Sequence, residues 1–464
     1  MRAALRRAPL VLAAVSMLTA CDGILDVDQS GIIVPADVDA AGPAGVAPLV
    51  NGIVGNYQEA IDDVVRYTSL LTDEMISAST FPTRLEVDGR HVQPSNTSVT
   101  SNMYTPLHQA REYADTAVFV FQAKLRDPAY GTVIHDLNQG IALGKLYGGY
   151  ARLGLGEIYC WSILTGMYPE TAPLLPDVRV RQAITFFREA QAAALAEGLT
   201  DVRRAALVGE ARASLWLRDF NQAAALAGQI PRDFAYFAEY SHNSPSQYNE
   251  VYTVTWGDQS GISWTVGDGT KSTRGNEKWE FLDAFSRLGL VKVRPDGFRS
   301  DDSSIPVVLQ ELYNQQESGL LLASGLEAQL IRAEVAVRTG QTATAAQLLN
   351  DLRSDFSLRL LLRSKVPFPA AADQLRPLTL TGNMKTDLKT VANERARELW
   401  LTGDRLTTSR RLRVDGINLF PPVKAAIGGG DDTAFPIPQR ELDHNPNLDA
   451  SQACPAGQAI GAWH

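Results

Sequence analysis

Adjacent acidic residues are the side chains whose spacing could support catalysis in this chain. The pairs Asp73-Glu74, Asp301-Asp302 and Asp431-Asp432 could each supply two carboxylates for glycoside hydrolysis. No sequence pattern sets the distance between such carboxylates, however, and a chain of this size contains many acidic pairs. The sequence also lacks the G-x-S-x-G, H-E-x-x-H, phosphate-loop and dinucleotide-binding motifs. We therefore expect no enzymatic activity, and a glycan-cleaving hydrolase is the least favoured alternative.

Metal-binding patterns are equally weak. Six histidines are scattered through the chain, and none has a metal-ligand spacing to another histidine or to a cysteine. The Gly-Gly-Gly-Asp-Asp segment at 428–432 could bind calcium, although a solvated turn is the simpler interpretation. We therefore expect neither a metal nor a cofactor.

The sequence does not decide whether two of the three cysteines form a disulfide with each other. Outside the cytoplasm, Cys160 and Cys454 could form a disulfide that ties the carboxyl terminus to an earlier helix. A buried free thiol at Cys160 is equally consistent with the sequence, because sequence alone does not show which residues are close in space.

The third cysteine, Cys21, ends a pattern typical of secretory signals. Three arginines lie within the first seven residues, residues 9–17 are mostly apolar, and two small residues precede the cysteine. This apolar run is too short to span a bilayer. The sequence Leu-Thr-Ala-Cys at 18–21 resembles the lipobox of bacterial lipoproteins, in which the cysteine is acylated and the peptide before it is removed. We predict a signal peptide at 1–20 and lipid attachment at Cys21; the alternative is an ordinary signal peptide with a chance cysteine.

The charge of the mature chain argues against nucleic acid as a partner. Removal of residues 1–20 takes away three arginines and no acids, so the formal net charge changes from −9 to −12. No later stretch contains 18 consecutive apolar residues. We therefore expect a folded body that is held at the membrane only through the lipid on its first residue.

Helical periodicity predicts a mainly α-helical body after a tether at residues 21–45. Apolar stripes at i, i+3, i+4 spacing run through residues 107–121 and 141–155, and a first helix is expected around Leu49–Tyr57. Further helices are predicted at Ile184–Ala196, Ala205–Leu217, Phe220–Ala227, Leu326–Arg338, Thr342–Arg353 and Val391–Leu401.

Two of these predicted helices are followed by a very short turn and an alanine-rich helix. The turns lie at residues 218–221 and 339–341, and small residues after each turn would let two antiparallel helices approach closely. This pattern resembles tetratricopeptide hairpins, in which stacked helix pairs form a superhelix with a concave surface. The two pairs are about 120 residues apart, so plain helix hairpins remain the alternative.

An aromatic-rich segment interrupts the helical pattern. Residues 231–285 contain 11 of the 36 aromatic residues together with turn-forming sequences, and Val251–Trp256 has the composition of a β-strand. This composition predicts an irregular insert with little β-structure. Aromatic side chains in such loops either stack on sugar rings or fill the core beneath the loop, and core packing is the commoner role for any one of them.

Two segments near the carboxyl terminus carry a family resemblance. The sequence N-E-R-A-R-E-L-W-L-T-G-D-R-L at 393–406, followed by R-R-L at 410–412, resembles the E-R-x-x-E-L-x-x-E-G-x-R…D-L-x-R segment of SusD-like (RagB-type) nutrient-binding lipoproteins. The sequence F-P-I-P-Q-R-E-L-D-H-N-P-N-L at 435–448 resembles the closing F-P-I-P-x-x-E-x-x-x-N-P-x-L of the same family. The resemblance spans essentially the whole mature chain.

The resemblance implies a single α-helical domain at 46–464, with tetratricopeptide-like helix pairs and an insert at about 231–300. It further implies an outer-membrane lipoprotein, at the cell surface, that captures an oligosaccharide or another small nutrient for a SusC-like TonB-dependent transporter. A structural or adaptor lipoprotein that binds protein partners through its concave surface is the alternative.

In sugar-binding members, the resemblance places the ligand site on the loop after the first long helix and on the irregular insert. That loop, residues 77–104, contains no tryptophan here, so peptides and other small nutrients stay open as ligands. The ligand-binding candidates from these two segments are Arg84, Tyr104, Tyr252, Trp256, Trp264 and Trp279.

Charged residues of the first motif are predicted to be part of the scaffold. Glu394, Arg395, Arg397 and Glu398 have the i, i+3, i+4 spacing of neighbours on a helix, where they could pair with one another or with arginines at 405 and 410. We interpret them as structural rather than catalytic.

Overall fold

The computed structural model describes residues 40–448 except 162, 164–173, 258, 260, 274, 288 and 355–374. Cys21, the signal peptide, most of the tether and Cys454 lie outside these residues. The described residues are mainly helical, as the periodicity predicts, with short strands between the helices. None of the helices in this part of the chain is long and apolar enough to cross a membrane.

Helices make up most of the amino-terminal half. The predicted apolar stripes lie in α4 and α5, and prolines in the first turns of α4 and α6 fit a position where no amide donor is needed. In chain order the helices are α1 Val46–Leu71, α2 Pro82–Asp88, α3 Thr97–Val99, α4 Thr105–Lys124, α5 Ile134–Ile158, α6 Pro176–Ala196, α7 Thr200–Trp216 and α8 Phe220–Ala227, with a π-helical turn Thr100–Tyr104 between α3 and α4.

The helix α5 lies at the centre of this half, where it packs against α1, α4, α6 and α7. Glycines allow the close approach of α6: a Cβ atom would lie 2.8 Å from Cε1 of Phe187 at Gly149, and 2.8 Å from Cγ2 of Val180 at Gly156. The ring of Phe187 in turn packs edge-on against Tyr150, with ring centroids 4.9 Å apart. Small residues on α5 therefore set the spacing of the central helix layer.

Helices also close the described part of the chain: α9 Glu250–Thr255, α10 Leu282–Arg287, α11 Gly325–Arg338, α12 Thr342–Ser354, α13 Met384–Glu398, α14 Asp404–Arg413 and α15 Gln439–His444. The Ser324 hydroxyl caps α11 by accepting a hydrogen bond of 3.1 Å from the Glu327 amide. The predicted pairs α7/α8 and α11/α12 are both present, and α8 packs against α11, so two pairs distant in sequence lie side by side. The specific likeness to tetratricopeptide hairpins remains a prediction.

Among the described residues, six short strands form three antiparallel pairs, β1 with β3, β2 with β6 and β4 with β5. Their bounds are β1 Ile76–Ser77, β2 Ala235–Ala238, β3 Trp264–Thr265, β4 Val291–Val293, β5 Val308–Gln310 and β6 Leu320–Ser324. Because Ala238 pairs with Leu320, residues 239–319 leave the helical body and return to it at the same place. The irregular region thus begins close to the predicted start of the insert and continues past residue 300.

The prediction of a strand at Val251–Trp256 is wrong, because residues 250–255 form α9. The side-chain oxygen of Asn249 accepts hydrogen bonds from the amides of Val251, at 2.9 Å, and Tyr252, at 3.3 Å. This cap satisfies the first free amides of the helix, and tertiary contacts override the β-type composition of so short a segment.

The first family-like motif forms a buried set of ion pairs. Arg395 on α13 pairs with Asp404 on α14, and its Nε also lies 3.1 Å from the Thr408 hydroxyl. Glu394 pairs with Arg397 on its own helix and, at 2.7 Å, with Arg353 on α12. These contacts join three helices, as expected for a scaffold.

Two arginines of α14 have partners other than those expected from the sequence. Arg405 bonds Glu280 of the insert at 2.6 Å, and Arg410 donates to the backbone carbonyl of Tyr159 at 3.3 Å. Neither contact was predictable from helical spacing, because both partners are distant in the sequence.

Candidate functional site

The loop after α1 and the insert are joined directly. Strand β1 in this loop pairs with β3 in the insert, and the amide of Ala78 donates to the carbonyl of Ser263 at 2.8 Å. The amide of Asp302 in turn donates to the carbonyl of Ala78, also at 2.8 Å. The structure therefore brings together the two segments on which the family resemblance places a ligand site.

A cleft of about 1080 Å³ lies between α1 and residues 239–250 of the insert. Asn102, from the loop after α1, closes one end and donates a hydrogen bond of 2.8 Å to the hydroxyl of Tyr67. Polar side chains of both segments line the cleft, among them Asn56, Asp62, Asp63, Arg66, Tyr248 and Glu250. Its size is suited to a small organic ligand, and its lining is suited to hydrogen bonding rather than to apolar contact.

Arg66 is the central charged residue of this cleft. Its guanidinium pairs with Asp63 on the same helix and, at 2.8 Å, with Glu250 at the start of α9. The guanidinium carbon also lies 5.2 Å from the ring centroid of Tyr67 and 5.6 Å from that of Trp264. The two rings and two carboxylates hold the guanidinium in one orientation at the cleft wall.

An exposed aromatic ring and a second arginine lie on the loop after α1, the loop that also supplies the cleft-lining Asn102. Phe81, just before α2, is 57% exposed, and the guanidinium carbon of Arg84 lies 4.8 Å from its ring centroid. The charges of Arg66, Glu250 and Asp301 act on Arg84. Burial lowers the pKa of Arg84 from its ordinary value, but an arginine remains charged at neutral pH. We call Phe81 and Arg84 the rim, a pair on this loop that does not itself line the cleft.

Three of the predicted ligand-binding residues are buried. Trp264 is 1% exposed, and its ring supports Arg66 from behind. Trp279 is 3% exposed and packs edge-on against Phe281, with centroids 5.4 Å apart. Tyr104 is 1% exposed and packs edge-on against Tyr159 at 5.3 Å. In this conformation none of the three presents an open ring face, so any role in binding would be indirect.

The other three predicted residues are half-buried, and one of them is held by a structural bond. The indole N–H of Trp256 donates to the carbonyl of Gln310 at 2.6 Å, and its ring meets Phe298 edge-on at 5.5 Å. Tyr252 lies on α9, two residues after the cleft-lining Glu250. Arg84 and Tyr252 are therefore the predicted residues that the structure leaves best placed for a ligand.

Sequence reasoning missed the acidic wall of the cleft. Glu59, Asp62, Asp63 and Arg66 follow one another at i, i+3, i+4 and i+7, which places them on one face of α1. The adjacent pair Asp62-Asp63 was a detectable signal of the same kind as the three acidic pairs noted above. The sequence did not link this acidic pair to a binding site, because the partner residues lie almost 200 positions away.

The acidic pairs noted in the sequence have structural partners instead. Asp73 pairs with the buried Lys424 at 2.6 Å, and Glu74 accepts a hydrogen bond of 3.1 Å from the Leu401 amide. Burial raises the pKa of Glu74 to about 8. Asp301 accepts from the Ser263 hydroxyl at 2.7 Å. These bonds fix the loop after α1 and the insert in place.

The glycine-rich segment at 428–432 is also held by the loop after α1. The Gly430 amide donates to the carbonyl of Gly89 at 2.8 Å, and a carboxylate oxygen of Asp432 accepts from the Val92 amide at 2.6 Å. No group of three or more histidine, cysteine, aspartate or glutamate side chains in the described part of the chain is arranged to hold a metal ion. The segment is therefore a fixed connection between two loops.

Cys160, at the end of α5, is in a disulfide bond, which excludes the alternative of a free thiol. Its predicted partner, Cys454, lies outside the described residues. The amide of Cys160 also donates to the carbonyl of Phe435 at 3.2 Å, so the second family-like motif already lies against the end of α5.

Solved structures with the same architecture are SusD-like proteins. A SusD/RagB family protein from Bacteroides thetaiotaomicron aligns with a TM-score of 0.63 at 12% identity, covering 87% of this chain and 95% of that one. A SusD superfamily protein from Bacteroides vulgatus aligns with a TM-score of 0.61 at 15% identity, covering 88% and 98%. Surface glycan-binding protein A from Bacteroides uniformis aligns with a TM-score of 0.59 at 12% identity, covering 88% and 99%.

At these identities the likeness establishes the fold: this chain has the SusD-like fold, as the two carboxyl-terminal motifs predict. No protein-family model matches the sequence, and no curated protein matches it. The three alignments cover 87–88% of this chain and 95–99% of the matched proteins, so the likeness extends over most of both chains.

Proposed function

We propose that this protein is a lipid-anchored outer-membrane protein that binds a carbohydrate in the cleft and delivers it to a TonB-dependent transporter. The observation that carries the proposal is a polar cleft between α1 and residues 239–250 of the insert, together with the exposed Phe81 ring and the neighbouring Arg84 on the loop after α1. The names of the SusD-like relatives, one of them a surface glycan-binding protein, support a carbohydrate as the ligand.

The chemistry of the cleft suits a sugar. The exposed face of Phe81 offers a surface on which the C–H face of a pyranose could stack. Arg84 stands beside that ring, where its guanidinium could donate to sugar hydroxyls. Carboxylates and amides farther into the cleft could accept and donate the remaining hydrogen bonds.

Phe81→Ala should weaken glycan binding about fivefold or more, because stacking on an exposed ring contributes on the order of 1 kcal/mol. The experiment is calorimetric titration of the purified protein with a panel of neutral oligosaccharides, followed by titration of the variant with the ligand that binds. Phe119→Ala is the matched control, since Phe119 is also exposed but belongs to α4 and not to the loop after α1.

Equal affinities of the Phe81→Ala variant and the wild-type protein would show that the rim is not the stacking surface. A panel in which no oligosaccharide binds would contradict carbohydrate capture itself. Thermal melting of both variants should match that of the wild type, because neither side chain is part of the core.

The transporter partnership can be tested without knowing the ligand. Extraction of membranes with a mild detergent, followed by affinity purification of this protein, should yield a TonB-dependent outer-membrane transporter in near-stoichiometric amount. Recovery of the protein alone, or with an unrelated soluble protein, would favour the alternative of an adaptor lipoprotein.

A further inference from the structure

The cleft carries more negative charge than its own basic residue can balance. Among the described residues that line it are five acidic side chains and one basic side chain, Arg66. Glu59 and Glu239 are exposed at the mouth, whereas Asp62 and Asp63 lie buried on the wall formed by α1. A ligand that enters the cleft therefore meets more acidic than basic side chains.

Asp62 is the residue that this arrangement leaves without a counter-charge. It is only 2% exposed, and its Oδ2 accepts a hydrogen bond of 2.9 Å from the amide of Glu250. Its Oδ1 is buried and has no hydrogen-bond partner among the described residues. A buried carboxylate oxygen without a partner is costly, because the charge has lost its hydration and gained no bond in return.

The neighbours of Asp62 add to this cost. Asp63, which precedes Arg66 on the same helix, forms an ion pair with the Arg66 guanidinium. Glu250, on the other side of the cleft, pairs with the same guanidinium at 2.8 Å. Glu59 lies one turn away, and the hydroxyl of Tyr240, which packs on the same wall, donates to the backbone carbonyl of Gln58 rather than to a carboxylate.

Burial favours the protonated form of both aspartates. Burial, together with the charge of Asp63, raises the pKa of Asp62 well above its ordinary value, although Arg66 and the Glu250 amide oppose the shift. Burial likewise raises the pKa of Asp63 to about 7, against the opposing charge of Arg66. A cationic group on a ligand would favour the ionised carboxylates, so its binding would release protons.

From this geometry we infer that the cleft recognises a cationic group, an ammonium or guanidinium, on its ligand, with Asp62 and Asp63 as the binding carboxylates. The inference deepens the proposed function and rests on it, because it gives the captured nutrient a charge. The shared chemistry is an organic amine, carried either by an amino sugar or by a basic peptide. A simple metal ion is disfavoured, since no metal-binding group is formed in the described part of the chain.

Paired ligands that differ only in charge test this inference. A glucosamine oligomer is compared with its N-acetylated form at pH 6, where the amines are protonated, and a blocked trilysine peptide is compared with its Nε-acetylated form at pH 7. We expect at least one amine form to bind about tenfold or more tightly than its acetylated partner, as charge-assisted hydrogen bonds to buried carboxylates would produce. The pair that shows the preference identifies the source of the amine.

Substitutions of Asp62 and Asp63 test whether these two side chains of α1 cause the preference for the amine form. Asp62→Asn and Asp63→Asn conserve side-chain shape and should each reduce the preference to about threefold or less. Asp296→Asn is the control with the same change of charge, because Asp296 is exposed and does not line the cleft. If an asparagine variant does not fold, wild-type calorimetry in two buffers of different ionisation enthalpy still reports proton release, which we expect when the amine form binds near pH 7.

Three outcomes would overturn the inference. Equal affinity for the amine and acetylated forms, with the effect of Phe81→Ala retained, removes the cation site and leaves the proposed glycan capture intact. A preference that survives both asparagine variants, or binding without proton release, removes the role of the aspartates. If neither the amine forms nor the acetylated forms bind, the inference is overturned. If, in addition, no neutral oligosaccharide binds, the proposed function is overturned as well.

Discussion

Cys21→Ser should transfer nearly all of the protein from the membrane fraction to the soluble fraction. Each buried CH₂ of an acyl chain contributes about 0.8 kcal/mol to membrane attachment, so two or three chains make the attachment effectively permanent. The described residues contain no helix that could cross a membrane in place of the lipid. Loss of the acylated thiol should therefore abolish attachment while the folded body is retained.

The measurement is fractionation of cells, with washing of the membranes in high salt and metabolic labelling with a fatty acid. Wild-type protein should carry the label and the serine variant should not. Cys454→Ser is the control, because it makes the same substitution outside the signal and should leave the protein in the membrane fraction. Retention of Cys21→Ser on salt-washed membranes would rule out the lipid anchor.

Arg395→Ala should lower the free energy of unfolding by about 3–5 kcal/mol, because it leaves a buried carboxylate without its counter-charge. Arg395 is 2% exposed and pairs with Asp404 at the start of α14, whose side chain is 8% exposed. The charge of Arg395 holds the pKa of Asp404 below its ordinary value despite burial, so Asp404 is ionised in the folded protein. Removal of the guanidinium would force this carboxylate to take up a proton or to admit water.

Chemical denaturation followed by circular dichroism measures this effect. Lys389→Ala is the matched control, since Lys389 is an exposed cation on the same helix and its loss should change stability by less than about 0.5 kcal/mol. Ligand affinity measured well below the melting transition should be unchanged in both variants. A large loss of binding by Arg395→Ala with unchanged stability would mean that this pair belongs to a functional site and not to the scaffold.

The helical body was accessible from the sequence because its information is local. Apolar residues at i, i+3 and i+4 spacing predicted α4 through α8 and α11 through α13, since an amphipathic helix must bury one face wherever it lies, although α5, α6 and α13 begin seven or eight residues before the predicted starts. The motifs at 393–412 and 435–448 predicted the SusD-like fold through their resemblance to a known family rather than through local periodicity.

The insert was harder to predict because its structure depends on partners distant in the sequence. Asn249 converts a strand-like segment into α9 only because its own amide and side chain are held by residues 316 and 318. The aromatic side chains of this region look alike in sequence, yet Trp264 and Trp279 are core residues whereas Phe81, outside the insert, is open to solvent. The composition shows that this region contains many aromatic side chains. Which of them are buried depends on how the chain folds back against the rest of the protein.

By itself the sequence determined the class of the fold, supported the expectation of a lipid anchor at Cys21 and indicated the insert, but not α1, as a lining of the site. Only the tertiary structure decided which side chains meet in that site. Arg66 and Glu250 are 184 residues apart in the chain and 2.8 Å apart in space, and the Glu250 amide, not the Arg66 guanidinium, donates a hydrogen bond to Asp62. Local patterns are set by the backbone geometry of single helices, whereas charge balance in a cleft is set by every element that surrounds it.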